Sequence, residues 1–437
     1  MKMTRFIRGG LAAVVALAAT LSLAACSTGG GTSESTTGST SDTTTSGAKT
    51  TLNALFMQQA GYSQDQIDAM IQAYETANPN VTVNATYVAY EALHDKIVTA
   101  APAGTYDVVL VDVIWPAEFA TKGILTDVTS RYPASWQTDM LGGAYTTAEF
   151  NGKFYGVPWG PSTKFLYVNE DMIAKVGATD ADLGTWDGLL AVAQKLKDQG
   201  VVQYPLAWSW SQAEAVICDY GQMLGAFGGS FTDSSGNLDV NNAVGVQALT
   251  WMKQTIDDGL TNPASTTFIE DDVQKSLAQG QTAFGLNWES TFAALQDPSQ
   301  SNVVGKIHIL PTPAGPSGAR PGINGAMALG IPTGSKNQDA AWDLITYLTS
   351  QDVQNQYPTG WLPNWTSSYS DPAITAQAPE LFAAAKTGYA DLIQRPQVAN
   401  YNATSAVLQA DIQKALLGQM TPQAAMDDAV AQSKTAS

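Results

Sequence analysis

The sequence predicts an α/β protein with two domains, each a mainly parallel sheet flanked by helices. Strand-like apolar segments alternate with amphipathic helix-like segments, which is the pattern of a parallel sheet with helical crossovers. A length of 437 residues with 44% hydrophobic content is sufficient for two hydrophobic cores. A second alternating series begins near Lys164, where the first is complete.

The chain starts with a basic segment and an apolar run that ends at Cys26. This run, residues 11–25, is too short to span a bilayer comfortably and is typical of a secretory signal. Residues 23–26, "LAAC", resemble the lipobox of bacterial lipoprotein signals. The resemblance implies that residues 1–25 are removed and that Cys26 is lipidated. Residues 26–49 are rich in Ser, Thr and Gly, so we expect them to form a disordered tether.

The first alternating series contains three predicted strands, "TLNALFMQ", "VTVNATYV" and "YDVVLVDV". The segments between them, "SQDQIDAMIQAYETANP" and "YEALHDKIVTAAPAG", have helical periodicity, and Ser63 with Gln66 forms a capping box. In such sheets ligands bind beyond the carboxyl ends of the strands. Residues that follow these strands are therefore candidates for a binding site.

The second series contains three further predicted helices, "TWDGLLAVAQKLKDQG", "AVGVQALTWMKQTIDDG" and "SKNQDAAWDLITYLTS". We expect Ser335 and Gln338 to cap the last of these. "TAFGLNW" is a predicted strand that ends at Trp288, "AMALGIP" is another, and "GGSFTDSSGNLDVNN" is a predicted hairpin. Both series therefore indicate sheets covered by helices.

Composition excludes several classes of function. The formal net charge is −18 and no basic stripe is visible, so we expect no nucleic-acid partner. The two cysteines, Cys26 and Cys218, and the two histidines, His94 and His308, are far apart. We therefore expect neither a metal site nor a cofactor, and Cys218 should pack as a small hydrophobe.

Nine stretches, in this order, resemble the extracellular solute-binding lipoproteins of ABC importers, a large family that mostly binds sugars and shares its fold group with the maltose-binding proteins. They lie between about residues 52 and 426 and read "YETANPNVTV", "AAPAGTYDVVLVD" with "EFATKGILTDVT", "FNGKFYGVPWGPSTKFLYVNEDMIAKVG", "TWDGLLAVAQKL", "NNAVGVQALTWMKQTIDDGLTNP", "LAQGQTAFGLNW", "ILPTPAGP", "SKNQDAAWDLITYLTSQDVQNQY" and "GWLPNW". The resemblance implies a two-lobed periplasmic-binding-protein-like fold of type II, with crossing strands between the lobes. Ligand is expected in the cleft, the lobes are expected to close by hinge motion, and no catalysis is implied.

The resemblance also implies how the chain divides and where it works. Lobe 1 is expected at residues 50–160 and 316–365, and lobe 2 at residues 161–315 and 366–437. The expected partner is the membrane permease of an ABC importer. We expect a monomer that is anchored to the cell membrane by lipid at Cys26 and faces the extracellular or periplasmic side.

Sugars present apolar ring faces, which aromatic side chains match, and a rim of hydroxyl groups, which carboxylates, amides and Arg match. The predicted strand ends and the cleft loops of the family supply fifteen candidate ligand contacts. They are Gln58, Gln59, Tyr62, Tyr90, Glu91, Asp112, Trp115, Trp159, Trp208, Trp210, Trp288, Glu289, Asn324, Trp361 and Arg395. Each candidate has a structural alternative, which is core packing for the tryptophans, and capping, turn formation or a salt bridge for the others. Packing is the expected role of Trp136, Trp186, Trp251, Trp342 and Trp365.

The predicted function is capture of a neutral mono- or oligosaccharide for delivery to an ABC permease. Two alternatives keep the fold and change the ligand to a polyamine or a peptide. A secreted glycoside hydrolase is a third alternative and needs two suitably spaced carboxylates. Asp112, Glu214, Asp219 and Glu289 are available, but nothing in their spacing requires this activity.

Overall fold

The computed structural model describes residues 49–59 and 61–436. The predicted signal peptide, the lipidation site Cys26 and nearly all of the predicted tether lie outside these residues. No helix within the described ranges is long and apolar enough to cross a membrane.

Strands and helices alternate, as predicted, over residues 50–121, whereas later parts of the chain contain runs of consecutive strands or consecutive helices. The strands are β1 (Thr50–Met57), β2 (Val81–Val88), β3 (Val108–Asp112), β4 (Glu149–Phe150), β5 (Lys153–Phe154), β6 (Val157–Gly160), β7 (Lys164–Asn169), β8 (Leu206–Ala207), β9 (Phe284–Trp288), β10 (Ile307–Leu310), β11 (Gly322–Ile323), β12 (Met327–Gly330) and β13 (Leu392–Ile393). The α-helices are α1 (Gln64–Ala77), α2 (Tyr90–Ala100), α3 (Pro116–Thr121), α4 (Trp136–Asp139), α5 (Gly142–Tyr145), α6 (Glu170–Lys175), α7 (Trp186–Asp198), α8 (Glu214–Ala226), α9 (Ala243–Asp257), α10 (Glu270–Ala278), α11 (Thr291–Gln296), α12 (Gln338–Leu348), α13 (Gln351–Gln354), α14 (Pro372–Thr375), α15 (Pro379–Gly388), α16 (Tyr401–Leu416) and α17 (Pro422–Ser433).

The first lobe is built on a sheet with the strand order β2-β1-β3-β12-β6. β1 runs parallel to β2 and β3, whereas β12 is antiparallel to both β3 and β6. The predicted strand–helix–strand–helix–strand order of this half is confirmed. The apolar face of α1 lies in the core of this sheet, and its capping box between Ser63 and Gln66 is present.

The second lobe has a sheet with the strand order β10-β7-β9-β8, in which β8 and β9 are parallel and the other pairs are antiparallel. The prediction of mainly parallel sheets is therefore wrong for this lobe, and the first sheet is mixed. The reason is the connectivity of the chain. β7 enters the second lobe directly from β6 of the first lobe, and it runs antiparallel to both of its neighbours, β9 and β10. This pairing places Lys164, the first residue of β7, opposite Trp288, the last residue of β9.

Each sheet has its own hydrophobic core, and the chain passes between the lobes several times. It leaves the first lobe between β6 and β7. Ile323 still packs in the second core, whereas Met327 lies in the first, so the return falls a few residues after the expected position 316. Trp361 belongs to the first core, and the next residue, Leu362, packs with the second sheet.

The predicted cap of α12 is wrong. Asn337, not Ser335, precedes the helix, and its side chain makes no capping bond. Ser335 Oγ instead donates to Asp107 Oδ1 at 2.6 Å. The predicted inward face of this helix is confirmed, because Ala341, Leu344, Ile345 and Leu348 are all buried.

Candidate functional site

A cavity of about 330 Å³ lies between the two lobes, within the usual size range of small-molecule sites. From the first lobe it is lined by the loop after β1, the start of α2 and the end of β3. From the second lobe it is lined by the starts of α8 and α10 and the end of β9. This is the position that the strand-end rule predicts for a ligand.

Nine of the fifteen candidate residues line this cavity. They are Gln58, Gln59, Tyr62, Tyr90, Glu91, Asp112, Trp288, Trp361 and Arg395. The structure thus brings together residues separated by more than 300 positions. Contact between these side chains and a ligand remains a prediction.

Four of the candidate tryptophans do not line the cavity. Trp208 and Trp210 stack on each other at 5.7 Å in the second core, where Trp208 also packs on Trp186. Trp159 is fully buried beneath Tyr62, and Trp115 stacks on Tyr90 at 5.8 Å from behind. Trp159 and Trp115 therefore support side chains that line the cavity, whereas Trp208 and Trp210 serve packing.

Glu289 and Asn324 also lie outside the cavity lining. Glu289 turns away from Trp288 and is fully buried, where its Oε2 accepts a hydrogen bond from Ser162 Oγ at 2.9 Å. Asn324 is buried near the junction of the lobes, and its side chain donates to Gln394 Oε1 at 2.8 Å. We therefore correct both expectations, since these polar groups are used within the protein.

Trp288 is the partly exposed aromatic side chain at the end of β9. The ammonium of Lys164 lies 5.1 Å from its ring centroid, a cation–π distance. Its Nε1 donates to Glu270 Oε1 at 3.3 Å. The indole also contacts the backbone of the segment that returns to the first lobe, since a Cβ on Gly325 would lie 2.4 Å from it. Trp288 is thus held in a fixed orientation at the cavity wall.

Lys164 is fully buried behind Trp288 and forms ion pairs with two carboxylates. Its Nζ lies 2.8 Å from Asp219 Oδ1 and 3.0 Å from Glu270 Oε1, and it also donates to Ser209 Oγ at 2.8 Å. Burial alone lowers the pKa of Lys164, but the two carboxylates outweigh this effect and raise the pKa above its usual value. The ammonium therefore stays charged at neutral pH and continues to support the indole.

Arg395 is fully buried at the cavity wall, and its guanidinium contacts carboxylates of both lobes. Its Nη2 donates to Asp112 Oδ1 at 2.8 Å, and its Nη1 donates to Glu214 Oε1 at 2.9 Å. Burial lowers its pKa, but the carboxylates more than compensate and raise the pKa. The structural alternative for Arg395, a salt bridge, is therefore present, but as a buried network and not at the surface.

Trp361 is nearly fully buried and packs edge-on against both Tyr62 and Trp159. Two glycines make room for it, because a Cβ added to Gly61 or Gly160 would lie 2.3 or 2.4 Å from the indole. Such distances are shorter than any van der Waals contact. The position of Trp361 in the cavity wall therefore depends on these two glycines.

Substitution of Gly160 by alanine should destabilise the first lobe by about 1–3 kcal/mol, because the added methyl group overpacks against a rigid indole. Urea unfolding followed by tryptophan fluorescence measures this change. Gly142→Ala is the matched control, since a Cβ there would contact nothing within 4 Å. Equal stability of the two variants would contradict this account of how Trp361 is held.

Several lining residues of the second lobe were not among the candidates. They lie at the starts of α8 and α10, at the end of β9 or just after it, and include Glu214, Glu270, Asp271, Gln274, Asn287 and Thr291. The available signal was the pattern "FIEDD", an acidic helix start that follows a loop. The strand-end rule covers the exit loops of the first series and the end of β9, so residues at the helix starts of the second lobe fall outside it.

The described cavity lining is acidic. Its carboxylates are Glu91, Asp112, Glu214, Glu270 and Asp271, and its cation is Arg395, so five acids against one base give a formal charge of −4. Burial, together with neighbouring carboxylates that include Glu91 in the first lobe, raises the pKa of Asp271. The cavity therefore disfavours anionic ligands.

The family model described as bacterial extracellular solute-binding protein matches residues 60–355 of this chain. A protein of Deinococcus radiodurans named as a probable ABC transporter-binding protein is 28% identical over 340 residues, which cover 74% of this chain and 78% of that protein. An uncharacterized lipoprotein of Streptomyces antibioticus is 26% identical over 336 residues, which cover 73% and 72% of the two chains.

Solved structures share the two-lobed fold. The maltose-bound MalE3 of T. maritima is 28% identical to this chain with a TM-score of 0.82, and the match covers 88% of this chain and 99% of that one. A solute-binding protein of Thermotoga lettingae bound to α-D-tagatose is 25% identical with a TM-score of 0.80, covering 89% and 99%. The predicted two-lobed α/β architecture is confirmed by this similarity.

Proposed function

This chain belongs to the family of bacterial extracellular solute-binding proteins, and from that premise we propose that it captures a neutral mono- or oligosaccharide and delivers it to an ABC permease. One observation carries the proposal. The partly exposed indole of Trp288 lies in a cavity whose other walls are rich in carboxylate, amide and hydroxyl groups. An apolar face beside such groups is suited to a sugar ring and its hydroxyls.

The similar structures support the same ligand class, since their bound molecules are maltose and α-D-tagatose. The cavity is lined by both lobes, so a bound ligand would contact both at once. A ligand that prefers one arrangement of the lobes shifts the population toward it. We propose that the permease recognises the closed arrangement.

We also propose that the protein is attached to the outer face of the cell membrane through lipid at Cys26. The "LAAC" sequence supports this attachment, as does the description of one relative as a lipoprotein. Globomycin, which blocks removal of lipoprotein signals, would cause the precursor to accumulate in cells if Cys26 is processed in this way. Cys26→Ser should release or mislocalise the protein without changing its affinity for ligand.

A thermal-shift screen of residues 49–437 tests the ligand class. Maltose, tagatose and longer oligosaccharides are compared with spermidine, a tripeptide and amino acids. A ligand present at 100 times its Kd should stabilise the protein by about 2.7 kcal/mol, which appears as a raised Tm. A shift with one class of saccharide alone supports the proposal, and a shift with spermidine alone would overturn it.

A polyamine remains the second candidate because of one observation, the formal charge of −4 on the cavity lining. Glu91 and Asp271 face the cavity from opposite lobes and form no ion pair with any described residue. Neutral sugars are also bound by carboxylates, which accept hydrogen bonds from hydroxyl groups. The thermal-shift measurement with spermidine distinguishes a polyamine-binding protein from a saccharide-binding protein.

The glycoside hydrolase alternative gains no support from the carboxylates that the sequence offered. Asp112 and Glu214 are both paired with Arg395, and Asp219 is paired with Lys164. A hydrolase needs one carboxylic acid and one carboxylate on either side of a glycosidic bond. The family of this chain is one of binding proteins.

A further inference from the structure

We infer that Arg395 is a positioning residue, which holds the two lobes in register and thereby sets ligand affinity without reading the ligand. The inference deepens the proposed function and rests on it for the statement about affinity. The statement about the lobes can be tested without any ligand. It changes the role of Arg395 from ligand contact, as the sequence suggested, to a bridge between lobes.

The first-lobe end of the bridge is Asp112, the last residue of β3, with an exposure of 2%. Its Oδ1 accepts hydrogen bonds from Arg395 Nη2 and from the backbone N–H of Ile114, and its Oδ2 accepts one from Tyr90 Oη at 2.7 Å. Tyr90 is in turn backed by the stacked ring of Trp115. The carboxylate is therefore fixed within its own lobe before Arg395 reaches it.

The second-lobe end is Glu214, the first residue of α8. Its Oε1 accepts hydrogen bonds from Arg395 Nη1 and from Tyr401 Oη, and its Oε2 accepts one from Ser405 Oγ at 2.6 Å. Both of these hydroxyl donors belong to α16. Ser405 therefore fixes this carboxylate independently of Arg395, whereas the ring of Tyr401 packs in the first core, so its bond to Glu214 is a second contact between the lobes.

The guanidinium joins these two fixed carboxylates with separate nitrogens, and Nη2 also donates to the carbonyl of Asn324 at 3.2 Å. Nη1 and Nη2 are thus engaged by protein groups, as are all four carboxylate oxygens, and only the buried Nε of the guanidinium has no partner among the described residues. A planar fork suits two acceptors at fixed positions, whereas the single ammonium of a lysine does not.

Separation of the lobes would pull Asp112 away from Glu214, so Arg395 would have to release one of them. A buried charge that loses its partner is destabilised until water reaches it. A ligand that fills the cavity keeps water from this wall, so ligand and bridge favour the same arrangement of the lobes. Loss of the bridge should therefore accelerate ligand dissociation.

A double-mutant cycle tests whether Arg395 couples the lobes. Asp112→Asn and Glu214→Gln each leave Arg395 with one carboxylate, whereas the double variant leaves its charge unpaired. The double variant should therefore shift the unfolding equilibrium at least tenfold more than the sum of the single effects, about 1.4 kcal/mol. In an Arg395→Met background this excess should vanish. Additive effects in the wild-type background would overturn the inference.

Small-angle scattering of the ligand-free full-length protein provides the second readout. Arg395→Met should increase the radius of gyration. If the methionine variant does not fold, Arg395→Lys, which keeps the charge, is measured in its place and should also increase the radius. Arg131→Met is the matched control, because Arg131 pairs with Asp339 within the first lobe. An unchanged radius in both Arg395 variants would contradict the bridge.

Maltose serves as the probe of affinity. If it binds the wild type, Arg395→Met should weaken binding at least tenfold, mainly through faster dissociation. Unchanged dissociation would overturn the statement about affinity. If maltose and every other saccharide fail to bind the wild type, the proposed function fails, but the cycle and the scattering still decide whether Arg395 bridges the lobes.

Discussion

Replacement of Glu289 by glutamine should make the protein more stable than the wild type at pH 9 and leave its stability nearly unchanged at pH 4. Glu289 is fully buried, its Oε2 accepts from Ser162 Oγ, and its Oε1 has no hydrogen-bond partner among the described residues. Tyrosines 62, 167 and 389 are close enough to sense its charge, but they are neutral in this pH range. No cation among the described residues compensates a carboxylate at this position.

Burial raises the pKa of Glu289 from 4.5 to about 8, against a smaller opposing effect of its hydrogen bonds. Between these two values the folded protein holds a proton that the unfolded chain has lost. Stability therefore falls as pH rises through this window, by about 1.4 kcal/mol for each pH unit at most. The total loss is on the order of 5 kcal/mol by pH 9, and glutamine, which resembles the protonated acid, should avoid it.

Urea unfolding of the wild type and Glu289→Gln at pH 4, 6, 7.5 and 9 measures this difference. Glu118→Gln is the matched control with the opposite sign. Burial raises the pKa of Glu118, but bonds from His94 and Lys122 outweigh it and lower the pKa, so the variant should lose stability at neutral pH. If the free energies of unfolding of the wild type and Glu289→Gln change with pH in parallel, the buried carboxyl does not take up a proton on folding.

The same residue shows where local sequence patterns stop being informative. Trp288 and Glu289 are adjacent at the end of β9, and neighbouring side chains of a strand point to opposite faces. This alternation does not decide between them, because Asn287 and Trp288 are also neighbours and both line the cavity. Which of the two does so depends on Ser162 and Gly325, which lie far away in sequence and contact Glu289 and Trp288, respectively.

The first sheet was easier to predict than the second. Its strands have full length, and their exit loops hold Gln58, Tyr62, Tyr90 and Asp112, all of which line the cavity. In the second lobe β8 has only two residues, too few to show a period, and the antiparallel pairs depend on where the chain enters. Trp208 and Trp210 are candidate contacts two residues apart, a spacing that predicts a common direction in an extended segment, and that direction is into the core.

Substitution of Trp288 by alanine should weaken saccharide binding by about 2 kcal/mol or more, which is roughly a 30-fold increase in Kd. The substitution removes the partly exposed aromatic face of the second-lobe wall, and it removes the group that lies between the cavity and the Lys164 ammonium. Trp288→Phe keeps an aromatic face but loses the bond to Glu270, so a smaller loss is expected. Isothermal titration with the saccharide found in the thermal-shift screen measures these values.

Trp342→Ala is the control that separates binding from packing. Trp342 is also partly exposed and also has a cation over its ring, since the guanidinium of Arg131 lies 5.7 Å from the ring centroid. It lies on α12 and does not line the cavity. Both variants should lose some stability, but only Trp288→Ala should lose affinity. An equal effect of the two substitutions on Kd would mean that Trp288 acts through the stability of its lobe and does not stack on the sugar.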